Sequence, residues 1–281
     1  MITDREDLVK IDKISNGVNK EIIKRHFSRY ACYYDRYSTI QNICASKLIT
    51  KIGANSFDKI LDIGCGTGNY TKLLREKFPE ASIKAIDISP QMIEIAKEKL
   101  RDEAIEFIVA DGETIDFNEP FDLVSSNVSF QWFEDLEEAL SRYKRLLNKN
   151  GVILFSAFGP LTFYELDRSL KELLGKDATI SSCYFLKREG LEKILKYLFK
   201  EIEIEQKIYK ENYNSLSELL KKIKYTGTRG NPLNKKTFWT PKIMNDLEKI
   251  YTKRFRDIMA TYEAFFCKGV KRALKKSFST D

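Results

Sequence analysis

Short apolar segments alternate with amphipathic segments through the middle of the chain, and this alternation limits the fold more than any other feature. Strands are predicted at residues 59–63, 82–87, 106–109, 121–125 and 152–156. Helices are predicted at 69–78, 90–100 and 135–147, the last followed by a C-cap turn at Asn150-Gly151. Strands that alternate with helices in this way form a parallel sheet covered on both faces. The sequence therefore predicts an α/β fold.

Further elements are predicted on either side of this region. Two helices that share an aromatic-rich stripe are predicted within residues 20–52. After Gly159 the pattern predicts a helix at 162–174, a strand at 201–213 and a second strand at 258–267. Between those two strands lie two helical stretches, broken by Gly227, Gly230, Asn231 and Pro232. We interpret these stretches as a helical lid inserted before a final strand that completes the sheet.

The first predicted strand ends in the glycine run Gly64-Cys65-Gly66-Thr67-Gly68. Such a turn brings backbone close to a ligand, and the helix that follows offers its N-terminal N–H groups. Asp87 ends the second strand, where an acidic side chain can accept hydrogen bonds from the ribose of an adenosine. The third glycine comes one residue earlier than in the dinucleotide fingerprint. The pattern therefore favours an adenosine cofactor other than NAD.

Polar residues also follow the next two strands. Asp111-Gly112 comes after the third strand, where its carboxylate could accept the adenine amino group, and Ser126-Asn127 comes after the fourth. Open parallel sheets bind ligands at the carboxyl ends of their strands. These residues, taken in order, predict one cofactor site along that edge of the sheet.

Composition excludes several other classes of protein. The five cysteines are scattered without a C-x-x-C pair, and His26 is the single histidine, so neither a disulfide framework nor a metal site is expected. His26 itself is interpreted as structural. No apolar run is long enough to span a bilayer, and the N-terminus is too polar for a signal peptide. We expect a soluble, cytoplasmic protein that binds neither a metal nor a membrane.

The segment I-L-D-I-G-C-G-T-G at 60–68 resembles the signature loop of class I S-adenosylmethionine-dependent methyltransferases. Asp87, Asp111 and the L-N-K-N-G turn at 147–151 match the same family. The resemblance implies a Rossmann-like, seven-stranded sheet whose last strand is antiparallel to the others. It also implies that S-adenosylmethionine is the cofactor.

Segments 25–31, 126–132, 155–160 and 259–263 resemble a narrower family, the malonyl-acyl-carrier-protein O-methyltransferases of biotin synthesis. The similarity runs from about residue 20 to 272. It implies an enzyme that methylates the free carboxyl of a malonyl thioester, carried on acyl carrier protein or on coenzyme A. Such a carboxyl is already ionised at neutral pH, so no general base is expected.

Residue roles follow from this resemblance. The cofactor-binding residues implied are Asp62, Gly64, Cys65, Gly66, Gly68, Asp87, Ile88, Met92, Asp111, Gly112 and Asn127. Residues expected to position the substrate are Tyr34, Gln131 and Trp132, with Phe158 as a further wall. Arg29 is a candidate for the substrate carboxylate, although the sequence does not select it over Arg25.

The chain divides by sequence into four segments of one domain. Residues 1–52 hold an N-terminal extension and helices that cover the cofactor site, and 53–214 form the S-adenosylmethionine-binding core. The helical lid insertion spans 215–257, and 258–281 form the final strand and a basic tail.

Positive charge is concentrated late in the chain. Residues 215–276 contain 16 Lys/Arg and 5 Asp/Glu, against a net charge of +7 for the whole chain. A basic face of this kind suits an acidic partner. We predict that a carrier protein docks on a cluster of basic residues, Lys221, Lys222, Lys224 and Arg229.

Alternatives to this reading remain open. They are a methyltransferase of the same fold acting on another small acid or metabolite, a nucleic-acid-binding protein, or a solvated lysine-rich face with no partner. Nucleic-acid binding is not expected, because the basic segment lacks the interleaved aromatic residues of a stacking platform.

Overall fold

A seven-stranded sheet organises the chain in the computed structural model, which describes residues 19–53, 55–226 and 240–272. The strands are β1 (Lys59–Ile63), β2 (Ser82–Asp87), β3 (Ile105–Val109), β4 (Phe121–Asn127), β5 (Leu147–Phe158), β6 (Glu201–Tyr213) and β7 (Ile258–Val270). Their order across the sheet is β3-β2-β1-β4-β5-β7-β6. Strand β7 is antiparallel to both of its neighbours, and the other strands are parallel to one another. The predicted Rossmann-like sheet is confirmed.

Helices cover both faces of this sheet. They are α1 (Lys20–Tyr37), α2 (Thr39–Thr50), α3 (Asn69–Lys77), α4 (Pro90–Lys99), α5 (Leu136–Leu146), α6 (Tyr164–Leu174), α7 (Arg188–Leu198), α8 (Leu216–Tyr225) and α9 (Pro241–Phe255). Several begin at side-chain caps: Asn19, Ser89, Asp135, Ser215 and Thr240 each accept a hydrogen bond from a backbone N–H of the first turn. Helices α8 and α9 are the two helical stretches predicted before the last strand.

The period-two alternation of the strands separates two apolar cores. Neighbouring residues of β1 illustrate this, because Ile60 belongs to one cluster and Leu61 to the other, and both are completely buried. The first cluster includes residues of α2, α3, α6, α8 and α9, and the second includes residues of α5 and α7. Burial of both faces explains why the strands read as short apolar runs.

Strand order reverses between β1 and β4. From β1 the chain builds outwards through β2 and β3, and then returns to add β4 on the opposite side of β1. At such a point the connections leave the carboxyl ends of the two strands in opposite directions, which opens a crevice between them. The fold therefore provides a ligand site next to the glycine loop that follows β1.

The predicted helix C-cap at Asn150-Gly151 is wrong. Helix α5 ends at Leu146, and both residues lie within β5. Phe121 of β4 pairs with Leu147 of β5, but Leu123, two residues later, pairs with Val152. Residues 148–151 of β5 therefore form a bulge with no partner in β4. The positive φ of Asn150, 65°, accommodates this bulge. The turn signal in the sequence was therefore real, but it marks an irregular strand. Helix α7 had no predicted counterpart.

Candidate active site at the carboxyl edge of the sheet

A cleft of about 710 Å³, counting the open space at its mouth, lies at the carboxyl ends of β1, β2, β3 and β4. Eight of the residues predicted to bind cofactor line it: Gly64, Gly66, Asp87, Ile88, Met92, Asp111, Gly112 and Asn127. Tyr34 and Trp132, predicted to position the substrate, line the same cleft. The chain thus brings together residues from positions 34 to 132 around one cavity.

The glycine loop shapes the floor of this cleft. Gly64 has a φ of +70°, and a Cβ added there would lie 2.1 Å from the Ser129 Oγ. Gly66 has a φ of +55°, and an added Cβ would meet no protein atom within 4 Å. The backbone at Gly66 is therefore open to a close approach from the cleft, as a bound cofactor requires. This loop fits the methionine portion of S-adenosylmethionine.

Asp87 lies at the end of β2 and faces the cleft. Its carboxylate accepts hydrogen bonds from the Gly66 backbone N–H at 2.9 Å and from the Ser89 backbone N–H at 2.8 Å. Burial raises the pKa of Asp87 to about 6, although these two bonds oppose the shift. At pH 7 the group is mostly ionised, and each oxygen keeps a lone pair for a further donor. Such an acceptor fits the two hydroxyls of a ribose.

Asp111 follows β3 and is held by a lysine that the sequence analysis did not select. The Lys20 Nζ lies 2.6 Å from an Asp111 carboxylate oxygen and 2.6 Å from one of Glu113. Burial lowers the pKa of Lys20, but the two acidic partners outweigh it, so that the pKa is raised. Gly112 beside them leaves no room for a side chain, because an added Cβ would lie 2.7 Å from the Ile63 side chain. The Asp111 carboxylate lines the cleft here and can accept a hydrogen bond from an adenine amino group.

Aromatic rings form another part of the cleft wall. Phe27 contacts Tyr34 and Trp132 edge-on, with ring centroids 6.3 and 6.4 Å apart, and Phe185 packs on Trp132 at 5.3 Å. Burial raises the pKa of Tyr34, and the charges of Asp87 and Asp35 add to the effect. The phenol therefore stays protonated at neutral pH. Within the described ranges its hydroxyl has no hydrogen-bond partner in the protein, so it is available to a ligand.

Asn127 connects this aromatic part of the wall to the sheet. Its Nδ2 donates to the Gln41 carbonyl at 3.1 Å, and its Oδ1 accepts from the Ser156 hydroxyl at 2.8 Å. The next residue, Val128, has a φ of 52°, which a β-branched side chain rarely adopts. The Val128 backbone N–H donates to both the carbonyl oxygen and the hydroxyl of Ser156, each at 3.0 Å. The chain leaves β4 in a strained turn at the cleft wall.

Three residues predicted to bind cofactor lie behind the loop rather than on the cleft: Asp62, Cys65 and Gly68. Asp62 is completely buried in β1 and accepts a hydrogen bond from the Thr71 hydroxyl at 2.7 Å. Gly68 begins α3 with a φ of +83°, and an added Cβ would lie 3.3 Å from the Ala96 Cβ. These residues shape the glycine loop from within the protein.

The predicted substrate residues divide in the same way. Gln131 does not line the cleft, because its Nε2 donates to the Val128 carbonyl at 2.8 Å. Phe158 is 1% exposed and packs against Tyr262 in the core, with ring centroids 5.8 Å apart. Arg29 is exposed, and its guanidinium lies 5.5 Å from the centre of the Tyr30 ring. Neither Phe158 nor Arg29 reaches the cleft, and the reason is that each faces away from it.

One member of the predicted docking cluster is buried, and another lies outside the described residues. Lys222 is 5% exposed and forms an ion pair with Glu211. Its prediction as a docking residue is wrong, because the helical period turns it inwards while Lys221 and Lys224 face solvent. Arg229 falls in the segment 227–239, about which the structure says nothing.

Other cleft residues were not predicted from the sequence: Lys20, Ile23 and Phe27 of α1, and Ile63, Ala110, Val128, Ser129 and Phe133 at or after the strand ends. Three of them lie on α1, where the spacing of Lys20, Ile23 and Phe27 marks one helical face. That spacing could have indicated the face, but not that it covers a ligand site. His26, next to Phe27, is not among the cleft residues.

Helix α1 is bonded to the loops after three different strands. The Asp35 carboxylate accepts from the Thr67 hydroxyl at 2.5 Å and pairs with Lys99 at 2.6 Å. The Ser28 hydroxyl lies 2.9 Å from that of Ser89, and Lys20 bonds Asp111. These contacts lie along the whole helix. The structure thus holds α1 as a roof over the cleft.

Fold, glycine loop and acidic strand ends together define a class I S-adenosylmethionine-dependent methyltransferase. Residues 61–155 match the family model described as a methyltransferase domain. The malonyl-[acyl-carrier protein] O-methyltransferase of Acetivibrio thermocellus is 32% identical over 271 residues, covering 91% of this chain and 95% of the relative. A second such enzyme from Ilyobacter polytropus is 36% identical over 240 residues, covering 85% and 92%. The chain belongs to the malonyl-[acyl-carrier protein] O-methyltransferase family.

Solved structures agree on the fold. A putative methyltransferase from Bacillus halodurans matches with a TM-score of 0.59 at 17% identity, covering 82% of this chain and 99% of that one. Phosphoethanolamine N-methyltransferase 2 of Haemonchus contortus matches with a TM-score of 0.57 at 20% identity, covering 89% and 60%. The match to the methyltransferase domain and the membership of the family confirm the resemblances stated for the sequence, the enzyme class and S-adenosylmethionine as cofactor. Within the described ranges, no helix is long and apolar enough to cross a bilayer.

Proposed function

We propose that this protein transfers a methyl group from S-adenosylmethionine to the free carboxylate of a malonyl thioester, in the early steps of biotin synthesis. The observation that carries the proposal is that one cleft is lined by both the acidic residues Asp87 and Asp111 and the aromatic residues Tyr34 and Trp132. The acidic residues suit an adenosine, and the aromatic residues suit a small acyl group with a carboxylate. Membership of the family supports the choice of substrate.

Each group of cleft residues has a separate task in this proposal. Asp87 accepts the ribose hydroxyls, Asp111 with Gly112 holds the adenine, and the backbone of Gly64 and Gly66 lies against the methionine portion. Bound S-adenosylmethionine supplies an electrophilic sulfonium methyl group. Met92 and Ile88 cover the adenosine from the side of α4, and Asn127 fixes the wall next to the reacting centre.

Tyr34 would orient the substrate carboxylate. A carboxyl with a pKa near 4 is ionised at neutral pH, so the protein need not remove a proton. It has to hold the nucleophilic oxygen in line with the methyl group and keep water away, and such orientation can supply about 7–11 kcal/mol. Tyr34 offers an unoccupied hydroxyl for this purpose, and Trp132 closes the wall. Gln131 acts through Val128 and therefore remains a positioning residue.

The thioester carrier completes the proposal. We expect malonyl-acyl carrier protein to be the physiological substrate, with malonyl-coenzyme A as the simpler alternative, and no nucleic acid or membrane partner. The five cysteines are all free thiols. Free thiols support a reducing compartment, and hence a cytoplasmic location.

Transfer of a labelled methyl group to three acceptors in parallel tests this function. Malonyl-acyl carrier protein, malonyl-coenzyme A and free malonate are each incubated with the enzyme and methyl-labelled S-adenosylmethionine. We expect a base-labile methyl ester on the malonyl thioesters. Another small carboxylic acid is tested in the same assay. If that acid is methylated and none of the three malonyl acceptors is, the proposal is contradicted.

Tyr34→Phe tests the role of the hydroxyl in the same assay. Loss of a hydrogen bond to a charged acceptor should lower the turnover number about tenfold or more, while cofactor affinity measured by calorimetry stays within twofold. Tyr164→Phe is the matched control, because Tyr164 is 37% exposed on α6 and does not line the cleft. Equal activity of both variants would show that Tyr34 does not orient the carboxylate.

A further inference from the structure

Two helices that are distant in sequence place four tyrosines in one cluster. Tyr225, the last residue of α8, lies 4.8 Å from Tyr33, 4.8 Å from Tyr37 and 5.5 Å from Tyr30 of α1, measured between ring centroids. Tyr33 is 47% exposed and the other three are half-buried. We call these four residues the tyrosine cluster. It lies where α8 contacts α1, and none of its members belongs to either apolar core.

Three cations surround the tyrosine cluster. The Arg29 guanidinium lies 5.5 Å from the Tyr30 ring centre, that of Arg36 lies 5.8 Å from Tyr37, and the Lys224 Nζ lies 5.2 Å from Tyr30. All three side chains are exposed, and none pairs with a carboxylate in the described ranges. Lys221, also exposed, lies one helical turn before Lys224. The patch therefore carries a local excess of positive charge.

The polar groups of this patch are almost all hydrogen-bond donors. Within the ranges that the structure describes, the hydroxyls of the tyrosine cluster make no hydrogen bond to protein. Guanidinium and ammonium groups only donate, and a phenol donates readily to a carboxylate. Tyrosine and arginine are also the residues that dominate protein–protein hot spots. An acidic protein surface complements this patch in both charge and hydrogen bonding.

The patch is rigid and close to the cleft. The buried ion pair of Lys222 with Glu211 fixes α8 to β6, which leaves Lys224 facing outwards. On α1, Tyr33 directly precedes Tyr34, and Tyr30 follows Phe27 by three residues; Phe27 and Tyr34 line the cleft. A partner seated on the patch would therefore hold a flexible acyl arm next to the cleft mouth.

Stacking of nucleic-acid bases is disfavoured by the geometry of the rings. Base platforms need ring faces that are open to solvent. Here Tyr33 and Tyr37 are tilted against Tyr225 by only 35° and 32°, and cations lie over Tyr30 and Tyr37. The faces of the rings are thus occupied by one another and by the protein's own side chains.

We infer that the tyrosine cluster, with Arg29, Arg36 and Lys224, is the docking surface for an acidic acyl carrier protein. This inference rests on the proposed function, since it names the surface that receives the carrier of the malonyl group. It moves the predicted docking site from α8 alone to the junction of α1 and α8. The surface binds the carrier, and the cleft binds what the carrier delivers.

Charge reversal on the patch tests the inference. The double variant Arg36→Glu/Lys224→Glu, the patch variant, is compared with the control double variant Lys193→Glu/Lys200→Glu. The control reverses the charge of two exposed lysines, one in α7 and one just after it, on the opposite face of the sheet. Both variants change net charge equally. The value of kcat/KM is measured for malonyl-acyl carrier protein and for malonyl-pantetheine, which has neither a protein nor a phosphate, at low and high salt.

The patch variant should lose about tenfold or more in kcat/KM with the carrier protein at low salt, and less at high salt, because steering by surface charges is screened. Its rate with malonyl-pantetheine and the rates of the control variant should stay within twofold of the parent. Equal loss on both substrates, or loss on neither, would overturn the docking surface while leaving the function intact.

A parent enzyme that methylates neither substrate would refute the proposed function instead, whatever the variants do. Binding of a fluorescent single-stranded RNA of 16 nucleotides, abolished by the patch variant but not by the control, would overturn the assignment to a carrier protein. Titration of both variants with unloaded carrier protein separates docking from turnover, and the patch variant alone should bind more weakly.

Discussion

Replacing Asp62 by asparagine should remove a large pH dependence from the stability of the protein. Asp62 is completely buried in β1, and its Oδ1 has no hydrogen-bond partner. Burial raises its pKa from the ordinary 3.8 to about 7, although the bond from Thr71 opposes this. An unfolded chain releases the proton near pH 4, whereas the folded chain keeps it until about pH 7. The stability that the protonated Asp62 contributes is therefore fully present below about pH 4 and is lost as pH rises through about 7.

The size of the effect follows from the two pKa values. A difference between 3.8 and about 7, at about 1.4 kcal/mol for each pH unit, corresponds to about 4 kcal/mol. The Asp62→Asn variant has no proton to release. Its unfolding free energy relative to the parent should thus rise by about 4 kcal/mol between pH 4 and pH 7.5, whatever constant cost the amide itself brings.

Urea unfolding of the cofactor-free protein, measured by circular dichroism at several pH values, gives this comparison directly. Asp102→Asn removes a carboxylate that is 92% exposed and is the matched control for the loss of one negative charge. If the unfolding free energies of the parent and the Asp62→Asn variant differ by the same amount at every pH from 4 to 7.5, the pKa of Asp62 is not raised in the folded protein.

Three further changes test other parts of the structure. Asp87→Ala should weaken S-adenosylmethionine binding about tenfold or more, because a charged acceptor contributes about 1.5–3 kcal/mol; unchanged affinity in calorimetry would show that the ribose is held elsewhere. Lys20→Met should release one end of α1 from Asp111 and speed cofactor dissociation severalfold, measured by stopped flow, whereas an unchanged rate would mean that α1 does not retain the cofactor. Lys222→Met should cost about 2 kcal/mol of stability, because the half-buried Glu211 loses its charged donor and keeps the Tyr213 hydroxyl, and the double change with Glu211→Leu should recover part of it; a single variant as stable as the parent would show that the ion pair does not stabilise the fold.

The sheet and its glycine loop could be predicted because they depend on local signals. Strands buried on both faces read as apolar runs, and a loop with a φ of +55° or more at Gly64, Gly66 and Gly68 is marked by its glycines. Most of the cofactor residues follow strand ends, so their order along the chain predicted that they would meet. The family resemblance then supplied the reaction.

The substrate residues could not be predicted as well, because they depend on the direction in which each side chain faces. Phe158 belongs to the core and Arg29 to the surface, although both belong to sequence segments that match the family. Lys222 and Lys224 are two residues apart, which on a helix is enough to bury one and expose the other. Contacts between α1 and α8 join residues that are about 190 positions apart, and no periodicity reveals them.

The bonds from α1 to the loops after β1, β2 and β3 have a consequence for the order of events in turnover. Opening of those bonds would widen the exit for a ligand beneath this helix, and a carrier seated on the tyrosine cluster of the same helix would oppose that opening. We therefore expect compulsory-order kinetics, in which the methyl donor binds before the acyl carrier and its demethylated form is the last product to leave. S-adenosylhomocysteine should then compete with S-adenosylmethionine but not with the acyl carrier, and competition against both would disprove the sequence of steps.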